Sequence, residues 1–224
     1  MQFLFNTKIY KGDVWIDWQQ FIFKGDNKQE IFTFGTSNRL FLNGKEKKHS
    51  FSVPLQSVFV HQGGQINETD EKLITYNTSA AGLNYTFRPE SSLFKSISLE
   101  SSYLNFLDMS SEYQLPYIQG YGIYSTATVK VLDFDLRVAH WYGEYYVTLR
   151  GHPIFSSKST IWNGYYEDQR ALVSTRVLYE KNILKGLDIG AGFEVYSDLF
   201  DYFADYWYMF YINFNRDFFI KKFK

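Results

Sequence analysis

"LDIGAGFEV", Leu187 to Val195, alternates without a break. Leu187, Ile189, Ala191, Phe193 and Val195 fall on one face of an extended chain, and Asp188, Gly190, Gly192 and Glu194 on the other. An apolar face fits any sheet with one covered side. The opposite face decides the fold, because two strand positions there are glycine and two are acids. Either that face meets bulk water, as in a soluble sheet, or it lines an enclosed hydrated interior while the apolar face meets lipid.

Period two extends along the rest of the chain. Ala81, Leu83, Tyr85 and Phe87 interleave with Gly82, Asn84 and Thr86, and Ala127, Val129 and Val131 oppose Thr126, Thr128 and Lys130. Leu136 and Val138 oppose Asp135 and Arg137; Ala171, Val173 and Val177 oppose Arg170, Ser174 and Arg176. Helical period is nearly absent. The pattern predicts about eleven strands of roughly 10 to 16 residues, where globular strands centre on about five or six and a tilted membrane strand needs about 9 to 11. Tight connections are expected near Lys11-Gly12-Asp13, Asn43-Gly44-Lys45, Arg88-Pro89-Glu90, Leu132-Asp133 and Asn182 to Gly186. Longer ones alternate with them: His61 to Glu71, Asp108 to Gly120, Gly151 to Asp168 and Ser197 to Asp205. Gly25 to Lys28 reads as short where the alternation wants length. Short turns on one rim and long loops on the other are the habit of outer-membrane barrels.

Composition narrows the classes. Phe, Tyr and Trp make up 21% of the 224 residues, yet mean hydropathy is −0.30 and 21% of residues are charged, so apolar and polar residues are interleaved. No run approaches the roughly 18 apolar residues of a membrane helix, and any membrane role must come from strands. A net charge of −1 offers no polybasic field, so nucleic acid is not an expected partner. With no cysteine, disulfide scaffolds and thiolate chemistry are excluded.

Charges of both signs sit at mid-strand on the polar face: Glu100, Lys130, Asp135, Arg137, Arg176, Asp188 and Glu194 are expected to face a lumen, where opposite charges can pair across it. Gly190 and Gly192 would relieve crowding there. Trp18, Tyr85, Tyr103, Trp141, Tyr142, Tyr179, Tyr206, Trp207 and Tyr208 lie near strand ends, where an interfacial girdle belongs. A soluble sheet of this size would need another layer over its apolar face, and the chain offers no helices to supply one. The expected fold is therefore all-β: an antiparallel up-and-down transmembrane β-barrel of about 10 to 12 strands in one domain spanning residues 1–224. A soluble lipocalin-like barrel or sandwich is the competing architecture.

"MQFLFNTKIYKGDVWIDWQQFIFKGDNKQEIFTFG" (1–35) and "YWYMFYINFNRDFFIKKFK" (206–224) resemble outer-membrane β-barrel proteins of Bacteroidota-type Gram-negative bacteria. The resemblance implies an outer-membrane location, contact with the bilayer and lipopolysaccharide, and insertion by the barrel-assembly machinery through the aromatic C-terminal strand. It departs from the usual pattern at its end, where Lys224 follows Phe223. Barrels close with even strand numbers and both termini on the short-turn side. An odd count, with Met1-Gln2-Phe3 entering a strand directly and no signal peptide, makes the chain read as the C-terminal part of a larger barrel.

His49, His61, His140 and His152 share no metal-ligand spacing. His140 falls by parity on the face of Leu136 and Val138, where a catalytic base could act on a membrane-embedded lipid if a serine lay beside it. The acids of Ser197 to Asp205 could bind calcium or simply face water, and Gly151 to Asp168 could fold inward as a constriction, cap the lumen, or equally be an exposed loop with no special role. The sequons Asn67-Glu68-Thr69, Asn77-Thr78-Ser79 and Asn84-Tyr85-Thr86 carry no meaning in a bacterial barrel. No cofactor is implied. These features read as a non-enzymatic, porin-like barrel passing small solutes through a polar lumen. The alternatives are a membrane-embedded lipid hydrolase or acyltransferase, and a structural or assembly barrel that binds partners through its loops.

Overall fold

The computed structural model describes residues 1–64, 71–159 and 162–215. It places Leu187 to Val195 as read: Ile189 and Phe193 are 39% and 47% exposed, whereas Glu194 is 1% exposed. The apolar side of this strand is uncovered and the acid beside it is enclosed.

Eleven strands form one antiparallel sheet in strict chain order. They are β1 (Gln2–Asn6), β2 (Tyr10–Gln20), β3 (Ile31–Phe41), β4 (His49–Gln62), β5 (Ile74–Phe87), β6 (Phe94–Asp108), β7 (Gln119–Val131), β8 (Phe134–Glu144), β9 (Gln169–Leu184), β10 (Leu187–Asp198) and β11 (Ala204–Phe214). All except the five-residue β1 run 11 to 16 residues, as long as or longer than the about 9 to 11 that a tilted membrane strand needs. The only helical element among the described residues is a 3-10 turn at Pro153–Phe155.

The sheet is strongly curled, because side chains on non-adjacent strands meet on one face. Arg39 of β3 reaches Glu100 of β6 at 2.8 Å, and Arg137 of β8 reaches Glu194 of β10 at 2.9 Å. Arg150, just after β8, reaches Asp17 of β2 at 3.3 Å. That polar face is concave; the apolar face, on the outside of the curl, carries Leu83, Phe210 and Ile212 at 69 to 80% exposure.

Connections alternate as expected, with shifted bounds. The 7–9, 42–48, 88–93, 132–133 and 185–186 turns share one rim; the 21–30, 63–73, 109–118, 145–168 and 199–203 connections share the other. Lys11-Gly12-Asp13 is not a turn but lies inside β2, where Tyr10 covers Gly12 and hydrogen-bonds Asn38. The Gly25 region is the centre of a ten-residue loop rather than a short turn. Asn182 to Leu184 continue β9, so that turn shrinks to Lys185 and Gly186, with Gly186 in the left-handed region at φ +82°. The sequon at 67–69 and the final residues 216–224 lie outside the described residues.

A hydrophobic cluster sits on the concave side toward the long-loop rim. Phe106, Trp141 and Leu172 supply it from β6, β8 and β9, while Leu115, Tyr117, Tyr146 and Val147 come from the connections after β6 and β8. Trp141 is 2% exposed and faces inward, so it is not a girdle residue; Trp207 also turns inward, donating to Tyr196 at 3.4 Å. Both sit at the parity of the concave face. The other seven expected girdle aromatics share the convex face, as the register requires.

Candidate active site

The seven mid-strand charges all lie on the concave face. Glu100 pairs with Arg39, and Lys130 with Asp135 at 3.2 Å on the neighbouring strand. Arg137 and Arg176 stand opposite each other in the ladder, and Glu194 stands opposite Arg176. Glu194 accepts from Arg137 and, at 3.2 Å, from the Ser174 hydroxyl. The enclosed carboxylate between the two guanidiniums is held by the hydrogen bonds it accepts from Arg137 and Ser174. Asp188 accepts from Asn182 at 2.8 Å. These residues build a polar interior rather than converging on a reactive group.

The glycines of the opening stretch have a packing reason. A Cβ at Gly190 would come within 2.2 Å of Tyr211 Cζ, and one at Gly192 within 2.8 Å of Met209 Cε. The β11 side chains lie flat across β10, and Tyr211 thereby hydrogen-bonds Glu180 on β9. At the long-loop rim the 145–168 loop folds over the concave side, as a constriction would. Arg150 anchors it to Asp17, to Thr33 at 3.4 Å and over the Trp15 ring at 5.9 Å.

In the 199–203 loop, Asp198 accepts from the Phe200 and Asp201 amides at 2.8 and 3.0 Å and faces Arg170 at 3.5 Å. Its carboxylate caps the loop. No cluster of three or more potential metal ligands occurs among the described residues.

Three histidines have structural partners. His49 Nδ1 lies 2.8 Å from the Tyr85 hydroxyl and its ring stacks on Phe87. His61 Nδ1 lies 2.8 Å from Thr75 Oγ1, with the Phe32 ring 5.0 Å from its own. His152 stacks on Tyr196 and accepts from the Ile154 amide, capping the 3-10 turn.

His140 differs. It is exposed on the convex face, directly opposite Ser125 of β7. Ser125 is directly opposite Ser101 of β6, and the two hydroxyl oxygens are 2.8 Å apart. Directly opposed residues have Cβ atoms about 4.5 to 5.5 Å apart, so Ser101, Ser125 and His140 form one continuous row.

The neighbouring convex rows are graded. One step toward the long-loop rim lies Tyr103–Ile123–Tyr142, and one further step Asn105–Tyr121–Glu144. One step toward the short-turn rim lies Leu99–Ala127–Val138, followed by Ile97–Val129–Leu136. Each step is two residues, about 7 Å. The row opens onto a groove of about 610 Å³, walled by Leu42, Phe51, Leu83, Leu99, Ala127 and Val138. Two hydroxyls and an imidazole in one row beside an apolar groove are the elements of acyl transfer: nucleophile, proton acceptor and a second hydroxyl donor.

A family model described as Lipid A 3'-O-deacylase-type matches residues 1–223, and the chain belongs to that family. No curated protein and no solved structure matches. The match overturns the non-enzymatic expectation, since deacylases are hydrolases, and it gives no support to a porin or transport role. The lipid-modifying alternative is the better-supported reading of the sequence.

Proposed function

We propose that the chain is an outer-membrane esterase, a single barrel domain that removes an ester-linked acyl chain from lipid A-type glycolipid at the Ser101–Ser125–His140 row. The family match supports the substrate class and the Gram-negative outer-membrane location. The observation that carries the site is the direct opposition of Ser125 and His140 on the lipid-accessible face.

In this reading Ser125 Oγ attacks the acyl carbonyl carbon as its proton passes to His140. The carbonyl oxygen becomes an oxyanion, to which the Ser101 hydroxyl donates. Collapse expels the sugar alkoxide, which takes the proton from His140. Water, deprotonated by the same imidazole, then attacks the acyl–Ser125 ester; collapse releases the fatty acid, and His140 returns the proton to Ser125 Oγ. Throughout, the acyl chain lies along β7 over Ala127 and Val129, between Leu99 and Val138. The seven concave charges hold the polar interior of the barrel and take no part in the step.

The test is fatty-acid release from lipid A by the purified chain refolded in detergent micelles. Ser125→Ala and His140→Ala are each expected to lower the rate by about 10²- to 10⁴-fold. His61→Ala is the comparison, because His61 is a convex-face imidazole beside a threonine hydroxyl but outside the Ser125 row. Retention of full rate by both Ser125→Ala and His140→Ala, or loss only with His61→Ala, overturns the assignment.

A further inference from the structure

The row that carries the hydroxyls and imidazole has a polar aromatic surface on one side and a hydrocarbon-like surface on the other. The second suits an acyl chain. The first is more polar than a membrane-facing aromatic belt needs to be. Tyr103 and Tyr121 are stacked, with ring centroids 6.2 Å apart and planes 14° from parallel. Tyr142 follows at 6.3 Å from Tyr121. Glu144 Oε2 accepts from the Tyr121 hydroxyl at 2.9 Å and from the Tyr142 hydroxyl at 3.4 Å. Asn105 stands directly opposite Tyr121 on the same face. Three rings thus present faces and edges beside a carboxylate and a carboxamide, on the uncovered side of the sheet.

We infer that Tyr103, Tyr121, Tyr142, Asn105 and Glu144 form a sugar-binding platform that seats the glucosamine headgroup while its ester reaches Ser125. The inference rests on the acyl-transfer reading of the Ser125 row. Pyranose rings offer a C–H face that packs on aromatic rings and hydroxyls that donate to carboxylates. A glycerophospholipid offers neither in that arrangement. The platform begins one row from His140 and ends two rows away, about 7 to 14 Å along the strands. That distance lets a ring lie on the tyrosines with an ester on its edge directed at the serines. The tyrosine hydroxyls fix Glu144, so that its unshared lone pairs face the sugar rather than rotating into solvent. The enzyme would therefore select an acylated amino sugar over an acylated glycerol, and would do so through the headgroup.

Two measurements separate this inference from the reading beneath it. The first is kcat/KM for lipid A divided by kcat/KM for 4-nitrophenyl palmitate, an ester of similar chain length without a sugar. Glu144→Gln and Tyr121→Phe are each expected to lower that ratio about tenfold, the loss of one charge-assisted hydrogen bond. The second uses the non-cleaving Ser125→Ala protein: its affinity for micelles doped with lipid A is expected to exceed that for micelles doped with phosphatidylglycerol. Adding Glu144→Gln should shrink this preference about tenfold. A ratio within twofold of the unsubstituted protein, or equal affinity for both lipids, overturns the platform while leaving the esterase intact. Unimpaired hydrolysis by Ser125→Ala and His140→Ala overturns the esterase site, and the micelle preference then still decides whether the surface binds sugar.

Discussion

Gly122→Ala places a methyl group where the packing leaves no room. Gly122 lies opposite Gly143, and the indole of Trp141 lies over both. A Cβ at Gly122 would be 2.1 Å from Trp141 Cη2 and 2.6 Å from Cζ3. Ordinary contact begins at 3.4 Å, so the ring must retreat by 1.3 Å (3.4 − 2.1). It cannot do so freely: Tyr146 and Phe155 close on it edgewise at 5.1 and 5.6 Å, and the residue is 2% exposed. Overpacking of this kind costs about 1 to 3 kcal/mol, and a boxed indole belongs near the upper end. Reduced unfolded-state freedom on replacing glycine returns about 0.4 to 1 kcal/mol, leaving a net loss of roughly 2 kcal/mol. Urea unfolding in micelles, followed by tryptophan fluorescence, measures it. The double variant Gly122→Ala with Trp141→Phe supplies the control, since a phenyl ring is shorter than an indole and vacates the clash. If Gly122→Ala costs less than about 0.5 kcal/mol, or costs as much beside Phe as beside Trp, the clash is not what keeps glycine there.

Two further outcomes follow from other parts of the fold. Glu194→Ala leaves Arg137 and Arg176 facing each other around a vacated enclosed site and should cost about 3 kcal/mol by urea unfolding, with Arg137→Leu in the same chain recovering at least half; no recovery would mean that the two charges are not coupled. In the 109–118 loop, burial, reinforced by donation to Asp168 at 3.1 Å, pushes the Tyr117 phenol above its ordinary value. Its folded form stays neutral where an unfolded tyrosine ionises, so its contribution is fully present below about pH 10 and is lost as pH climbs through the raised folded value. Spectroscopic titration of tyrosinate should show the same number of phenols ionising near pH 10 in the unsubstituted protein as in Tyr117→Phe, and one phenol more in the unsubstituted protein would remove the claim.

Much of the fold can be read from alternation because the side-chain period of a strand is two. The same property explains what was misread. Trp141 and Trp207 lie near strand ends, but one residue of parity separates a girdle position from an interior one. Lys11-Gly12-Asp13 has turn-forming composition, yet the glycine there makes room for the Tyr10 ring inside β2. The concave charges are visible in the sequence because each strand declares its own polar face. Their partners are not, since Arg39 with Glu100 depends on the curl of the sheet.

The Ser125–His140 opposition lies between these cases. Ser125 precedes Leu132 by seven residues and His140 follows Asp133 by seven, so the two-residue turn fixes their pairing. A reader committed to that turn could have counted to it. Ser101 could not be found in this way, because β6 and β7 are joined by the ten-residue 109–118 loop, whose length leaves the register open.

The strand order β1 to β11 also says how the molecule is assembled. Every ladder joins consecutive strands, so hairpins can zip one after another with little chain entropy lost at each closure. Side-chain contacts across the curl come later, and that of Arg150 with Asp17 spans 133 residues and requires β2 to have swung round to meet the end of β8. A bond of that reach can form only once the strands from β2 to β8 have curled together. Arg150 thus acts as a latch on that curl, and its engagement marks the point at which those strands have come round.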